Sequence, residues 1–358
     1  MRASVVLGDG QESRGVNVQR GVRQGDPLSP LLFNLVLNQV LEEVRTIWET
    51  RGYGTNVGAT LRGRRLTHVA FADDMTLVSR SWLSMKRMVL TLREALARRG
   101  LALHPAKCKV QTNISERQQR GTINLDDGFS IEVLEVGASL ELLGTSLNLD
   151  DATGHEVNNR IASAWRMFWS MKPLLMNRKV SIIRRLRLFD ATVGSCATWC
   201  CESWTLRAAE LRKMETARRS MLRKIVITIR SDAEEWVDWI IRATHRALEW
   251  STRAGVRVWG MLHHSRKWAW AGHVARSGSD TLLYRVTAWR DSTWQEMCKQ
   301  QGIQRETRPS TRRWMKWEDA LRRFCAAHFL TNWMDVAHSR ETWKQLESDF
   351  VSWSLNAA

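Results

Sequence analysis

The chain is poor in the residues that interrupt or cross-link a fold. Of five prolines in 358 residues, only Pro173 and Pro309 lie beyond residue 156, so helices there meet few breaks. The six cysteines (Cys108, Cys196, Cys200, Cys201, Cys298, Cys325) show no CxxC spacing. That excludes a regular disulfide framework and a zinc knuckle, and fits buried thiols in a reducing compartment. His263, His264 and His273 cluster without partnering cysteines and read as ordinary histidines. No stretch approaches the roughly 18 uncharged apolar residues of a membrane span, and the N-terminus lacks a signal-peptide core. The expected location is intracellular, nuclear or cytoplasmic, neither secreted nor in a membrane.

Acidic residues are scarce. Against 54 Lys and Arg stand 37 Asp and Glu, giving a formal charge of +17 and a pI near 10.4. Such a field implies an anionic partner, with nucleic acid as the first candidate. Sixteen basic and four acidic side chains between Arg160 and Arg230 place +12 of that charge in one fifth of the chain. A solvated helix face is the alternative reading; the concentration favours binding.

An apolar content of 44% is ample for real cores, and the length suggests two or three packed units. Ser4–Leu7 and Gly15–Arg20 look like strands around a Gly8-Asp9-Gly10 turn. Ser29 as N-cap and Pro30 as first residue predict a helix to about Thr50, with Leu31, Leu35, Leu37, Val40, Leu41, Val44 and Ile47 as its apolar stripe. A second helix is expected from about Ser81 to Arg99, striped by Met85, Met88, Val89, Leu92 and Leu96. Leu140–Leu147 reads as a short strand or hairpin.

Beyond Glu156 helical periods dominate, and 17 of the 19 tryptophans fall at or after Trp165. Several sit at helical spacing (Trp165/Trp169, Trp236/Trp239, Trp314/Trp317), and Trp333, Trp343 and Trp353 recur every ten residues. These rings could stack on nucleobases, but filling helix–helix interfaces is the simpler expectation. Residues 272–276, within WAWAGHVARSG, are expected to form a turn. Lys299–Arg312 reads as a polar linker.

The densest chemical signal is THVAFADDMTLVS, residues 67–79. Asp73 and Asp74 stand between two apolar, partly β-branched runs, so they are expected at the tip of a tight β-hairpin. The pairs Asp126-Asp127 and Asp150-Asp151 lack that setting. A hairpin tip can offer two hard-oxygen ligands to a divalent cation such as magnesium, which recruits substrate phosphates as further ligands. A two-ion phosphoryl-transfer site generally needs another carboxylate.

RGVRQGDPLSPLLFNL (Arg20–Leu35) followed by AFADDMTLV resembles two consecutive motifs of reverse transcriptases, in particular those of non-LTR (LINE-type) retrotransposons. The first resembles motif B, which implies that Arg23, Gln24, Gly25 and Pro27 contact nucleotide and template. The second resembles the [YF]xDD box, with Phe71 at the nucleotide site, Asp73 as the principal ligand of Mg2+ and Asp74 as its weaker partner. GLALHPAKCKV is similar to motif D, implying Lys107 as a proton donor near the pyrophosphate. LELLGTSL resembles the primer grip, with Leu142 where an aromatic usually stands. CCESWTL and WAGHVAR look like patterns found beyond the thumb in this class.

The resemblance implies an α+β fold: a partial polymerase palm, its antiparallel sheet carrying helices on one face, then a mainly α-helical thumb and C-terminal region. The expected divisions are 1–151, palm motifs B to E; 152–230, a basic thumb; and 231–358, a Trp-rich helical region. Partners would be RNA template, DNA primer and dNTP, with Arg178, Lys179, Arg184, Arg185 and Arg187 on the nucleic-acid backbone. The family also carries a catalytic aspartate upstream of motif B. The chain starts after that point, and neither Asp9 nor Asp190 offers a substitute. The expectation is a truncated enzyme, inactive alone and completed by a missing N-terminal polymerase portion. The alternatives are a non-catalytic nucleic-acid-binding remnant and a protein-interaction role for the Trp-rich tail.

Overall fold

A computed structural model describes residues 2–3, 16–17, 21–23, 25–55, 65–112, 121–125, 128–135, 137–278, 281–288 and 316–356. The described chain divides into two compact units, residues 1–110 with 121–133, and residues 111–120 with 134–358. The linker expected at Lys299–Arg312 and the pair Asp126-Asp127 lie outside the described residues, as does most of the initial hairpin. The strand expected at Ser4–Leu7 is wholly outside them; just before it, β1 (Arg2–Ala3) pairs antiparallel with β2 (Val16–Asn17), which falls within the strand expected at Gly15–Arg20.

In the first unit, α1 (Ser29–Thr50) and α2 (Trp82–Ala97) pack against each other. Leu37, Val40, Leu41, Val44 and Trp48 from α1 meet Met88, Leu92, Ala95 and Leu96 from α2 in one core. Their i, i+3, i+4 spacing puts them on one stripe of each helix. Ser81 caps α2, its side chain accepting from the Ser84 amide at 3.2 Å. Ser29 is not the N-cap of α1. Leu28 holds that place, and the Asp26 carboxylate accepts the Leu28 N–H at 2.9 Å, taking up the turn one residue earlier. The stripe expected at the start of α1 is not buried either: Leu31 and Leu35 face solvent, together with Leu28.

Strands β3 (His68–Phe71) and β4 (Asp74–Leu77) form an antiparallel hairpin whose register pairs His68 with Leu77 and Phe71 with Asp74. Met75 and Leu77 pack on the α1–α2 core, and His68 lies edge-on to Trp48 with ring centroids 5.7 Å apart. Strand β5 (Lys109–Val110) runs parallel to β7 (Ser130–Val133), which pairs antiparallel with β6 (Gly121–Asn124). Leu77 and Leu103 join the core beneath that sheet to the α1–α2 core. The single antiparallel sheet expected is therefore several small ones, one of them mixed.

The second unit opens with β8 (Leu140–Leu142) and β9 (Thr145–Leu147), the hairpin read from LELLGTSL. Helices follow: α3 (Ala152–Ser170), α4 (Lys172–Leu175), α5 (Ile182–Phe189), α6 (Ser195–Ala197), α7 (Ala208–Val226), α8 (Trp236–Arg253), α9 (Trp259–Ala275) and α10 (Leu282–Ala288). Four short helices close the chain, at Asp319–Ala327, Trp333–His338, Arg340–Gln345 and Glu347–Asn356. Asp151 is the N-cap of α3, accepting from the Gly154 amide at 3.2 Å and from Arg207 at 3.0 Å, so the third aspartate pair is structural.

The turn expected at residues 272–276 is helix. Gly272 lies inside α9 because a Cβ there would meet Trp343 Nε1 at 2.7 Å. The close approach of an indole selects glycine, not a bend. Trp48, Trp259, Trp268, Trp333 and Trp343 are buried in the cores, as the packing reading expects.

Candidate functional site

The hairpin β3–β4 sets the geometry of the aspartate pair. Phe71 and Asp74 close the ladder, leaving Ala72 and Asp73 as a two-residue turn. Ala72 takes a left-handed φ of +51°, the conformation a tight hairpin turn of this hand demands. Because side chains alternate along a strand, Asp74 shares a face with Phe71, Val69 and Thr76, while Met75 and Leu77 point to the core. Asp73 and Asp74 are exposed, and Phe71 is 67% exposed. Among the described residues neither carboxylate has a hydrogen-bond or ion-pair partner. Two acids held side by side on a short turn, with no ion-pair partner among the described residues, form a local negative centre in a strongly basic chain.

Those oxygens suit a hard cation. Magnesium is commonly held by one or two carboxylates and completed by water and phosphate, and this tip supplies that much. Among the described residues no group of three His, Cys, Asp or Glu comes together to hold a metal. The residues present fit one cation in that manner and do not complete a two-ion site by themselves.

Residues of the Arg20–Leu35 segment sit at the start of α1. Arg23, Gly25 and Pro27 are exposed there, and Gln24 lies outside the described residues. Gly25 has a φ of +89°, a left-handed conformation that costs an L side chain roughly 1–2 kcal/mol. The Asp26 carboxylate that ties down Leu28 went unread in the sequence, although Asx-type turns before a helix carry this signature. Lys107 ends an exposed 3-10 turn, Pro105–Lys107, just before β5. Lys107, the aspartates and the start of α1 therefore belong to one compact unit.

The five basic residues expected on the nucleic-acid backbone divide. Arg178, Lys179, Arg184 and Arg187 are exposed around α5. Arg185 is not a surface residue. Its guanidinium is buried and donates to the carbonyls of Leu175, Val180 and Ile225 at 2.9–3.1 Å. Burial pulls its pKa below the usual arginine value, with a smaller push from Arg178. It ties α4 and α5 to the end of α7 and is unavailable for phosphate. Arg187 Nε donates to the Ala254 carbonyl at 3.3 Å, leaving the rest of its guanidinium at the surface.

In the hairpin β8–β9, the half-buried Leu142 and Thr145 close the turn, and Leu143 and Gly144 both have positive φ (+50° and +73°). The buried Glu156 of α3 accepts the Ser146 amide at 2.7 Å and Arg160 Nε at 2.5 Å, while Arg160 also donates to the Gly144 carbonyl. This clamp fixes the hairpin on α3, and no sequence motif announced it. Among the described residues, no helix is long and apolar enough to cross a membrane.

Residues 2–145 match the family described as "Reverse transcriptase (RNA-dependent DNA polymerase)". A putative uncharacterized transposon-derived protein of Caenorhabditis elegans is 26% identical over 294 residues, covering 79% of this chain and 95% of that protein. The Pol polyprotein of the type-1 retrotransposable element R2 of Popillia japonica is 28% identical over 187 residues, 51% of this chain and 25% of the polyprotein. That of the type-2 element R2DM of Drosophila melanogaster is 30% identical over 129 residues, 36% of this chain and 11% of the polyprotein. The chain thus matches a quarter or less of these R2 polyproteins.

Proposed function

Since residues 2–145 belong to the reverse transcriptase (RNA-dependent DNA polymerase) family, of the kind carried by non-LTR retrotransposons, we propose that the β3–β4 tip is the metal-binding corner of a nucleotidyl-transfer site. The observation that carries this reading is the tip itself: Asp73 and Asp74, exposed and unpartnered among the described residues, on a turn closed by Phe71 and Asp74. Asp73 and Asp74 would hold Mg2+, which when bound supplies positive charge to the phosphates of an incoming dNTP. Phe71 presents an exposed ring on the same face as Asp74, suited to packing on sugar or base. Arg23, Gly25 and Pro27, with Gln24, would line the nucleotide and template side, where the positive φ of Gly25 lets the backbone approach closely. Lys107 would give a proton to the leaving pyrophosphate.

The second unit supports the partner side of this reading. Lys179, Arg184, Arg178 and the free edge of Arg187 would contact the phosphates of an RNA template and DNA primer, and the β8–β9 hairpin would bear on the primer end. In this assignment 1–151 serves as palm, 152–230 as thumb and 231–358 as a helical support. The buried tryptophans of the last region favour support over a protein-docking role.

On this reading the two carboxylates at the tip do not by themselves complete a two-ion site among the described residues, so the chain alone would bind template–primer without extending it. The test is primer extension on poly(rA)/oligo(dT) with Mg2+, alongside binding of the same duplex. Binding without incorporation is expected. Incorporation abolished by Asp73→Ala would show a complete catalytic site, and absence of binding at low salt would remove the nucleic-acid reading altogether. A non-catalytic binding protein is the second reading, favoured by the +12 concentrated between Arg160 and Arg230; it predicts the same binding with no dependence on Asp73.

A further inference from the structure

Ten of the fourteen described tryptophans of the second unit are buried or half-buried, and Trp169 departs from them in a specific way. It closes α3 with its side chain 47% exposed. One turn back, Trp165 lies nearly parallel to it, with ring centroids 6.0 Å apart and planes 21° apart. The buried Phe168 meets it edge-on at 5.2 Å. The indole is therefore braced from beneath by a packed aromatic base while a large part of it faces water.

Two ammonium groups approach the same ring. Lys172 Nζ is 5.8 Å and Lys224 Nζ 5.6 Å from its centroid, one from α4 and the other from α7. Both side chains are exposed, and neither forms an ion pair with a carboxylate among the described residues. Trp199, Trp236 and Trp270 are also exposed, but none has a lysine or arginine over its ring among the described residues, and Trp270 is stacked on His273.

We propose that Trp169, Lys172 and Lys224 form a stacking platform for one unpaired base of a single-stranded nucleic acid, the lysines taking the phosphates on either side of it. The proposal rests on the nucleic-acid reading above and adds a site to it. Competition for the ring decides whether a base can displace the ammonium groups. At these distances an exposed cation–π contact is worth roughly 2- to 5-fold in an equilibrium. Releasing both lysines costs roughly 5- to 25-fold together, against roughly 5- to 150-fold for stacking a base on an aromatic side chain, so the base takes the face when the lysines gain phosphates in exchange. Each displaced lysine then exchanges a weak ring contact for a phosphate and releases a counterion. A helix-packing tryptophan would need neither its exposure nor two unpaired cations.

The test uses the full chain and a short fluorescein-labelled oligothymidylate, with anisotropy read across a salt series. Trp169→Ala is expected to weaken binding roughly ten-fold with the salt slope unchanged. Trp169→Leu keeps apolar volume against Trp165 without a π face and should bind as weakly as the alanine variant, while Trp169→Phe stays near the parent. The double variant Lys172→Ala/Lys224→Ala should flatten the slope of log affinity against log salt by about 1.4. Parent-like affinity in a folded Trp169→Leu would overturn the platform while leaving salt-dependent binding by the chain intact. A parent chain that binds the strand at no salt concentration would overturn the platform and the underlying nucleic-acid reading together.

Discussion

Trp268 and Trp343 lie face to face, with ring centroids 3.6 Å apart and planes within 2°, and each indole N–H donates to the other residue's backbone carbonyl at 2.7 and 2.9 Å. Seventy-five residues of chain separate them, so the pair is a tertiary lock between α9 and the C-terminal helices. Trp343→Ala removes a buried ring and takes its indole donor from the Trp268 carbonyl; it should destabilise the second unit by about 3–5 kcal/mol. Gly272→Ala should act through the same ring, because its Cβ would fall within 2.8 Å of two Trp343 atoms, and cost about 1–3 kcal/mol. Chemical denaturation checks both. Trp236→Ala at an exposed site is the control and should stay within about 0.5 kcal/mol.

A second group on α9 makes stability depend on pH. His263, His264 and Lys267 are buried within two turns. Burial, helped by Lys267, pushes His264 down to about 4 from an ordinary value of 6.5. Burial pushes Lys267 down to about 8 from 10.5, opposed by Asp319 and aided slightly by Arg323. His263 is held well below its usual value, first by burial and then by its two basic neighbours. Between pH 4 and 6.5 the unfolded chain binds a proton at His264 that the folded chain refuses, so stability falls as pH falls through that window. The same argument makes stability rise from pH 8 to 10.5, where folded Lys267 has already lost its proton. Each window amounts to something on the order of 3 kcal/mol. Urea denaturation across pH should show both rises, and Lys267→Met should abolish the upper one; a variant that still tracks the parent above pH 8 would refute the assignment.

Arg184 and Arg185 are neighbours with opposite fates. Arg185→Ala leaves the buried Leu175 and Ile225 carbonyls without their donor, at about 1–3 kcal/mol apiece. The expected outcome is a thermally weakened protein whose residual folded fraction still binds nucleic acid. Arg184→Glu and Lys179→Glu should leave the melting temperature nearly unchanged and weaken binding without regard to sequence, flattening the salt dependence by about one phosphate each. Melting curves and anisotropy on the same samples separate the two classes.

The hairpin bearing Asp73 and Asp74 was legible because its cues are local: β-branched runs, a two-residue turn and a period of two. The helices α1 and α2 were legible for the same reason. What sequence could not show were relations across distance. Residues 272–276 read as a turn because glycine marks turns, whereas Trp343, far along the chain, dictates a glycine inside a helix. Arg185 looks like its neighbours in a basic run, and only the carbonyls of three other segments distinguish it. The exposed Leu31 and Leu35 show the converse: periodicity announces an apolar face but not what covers it.

Asp73→Ala and Asp74→Ala should be nearly neutral for stability, within about 0.5 kcal/mol, since neither carboxylate is buried or partnered among the described residues. Asp151→Ala should cost about 0.5–2 kcal/mol, because it removes the N-cap of α3 and a partner of Arg207. Adjacent acids are thus separable by experiment into structural and chemical pairs. Loss of stability in Asp73→Ala comparable to that in Asp151→Ala would assign the hairpin tip a structural role and remove the basis for a metal site there.

Glu156 tests whether the β8–β9 hairpin depends on α3. Its carboxylate is buried, accepts the Ser146 amide and pairs with Arg160, which in turn holds the Gly144 carbonyl. Glu156→Ala leaves a largely buried guanidinium without its counter-charge and an amide without its acceptor, a loss of roughly 3–5 kcal/mol. The damage should be local, because Gln111, the other side chain bonded to this hairpin among the described residues, still donates to the Leu147 carbonyl. Amide exchange should therefore accelerate first at Ser146 and at the turn, ahead of the α3 interior. Glu156→Gln retains one acceptor for the Ser146 N–H and should recover part of the protection without restoring the ion pair. Uniform loss of protection throughout α3 would mean that the clamp supports the helix rather than the hairpin, and the hairpin could not then be treated as an element positioned by it for the primer end.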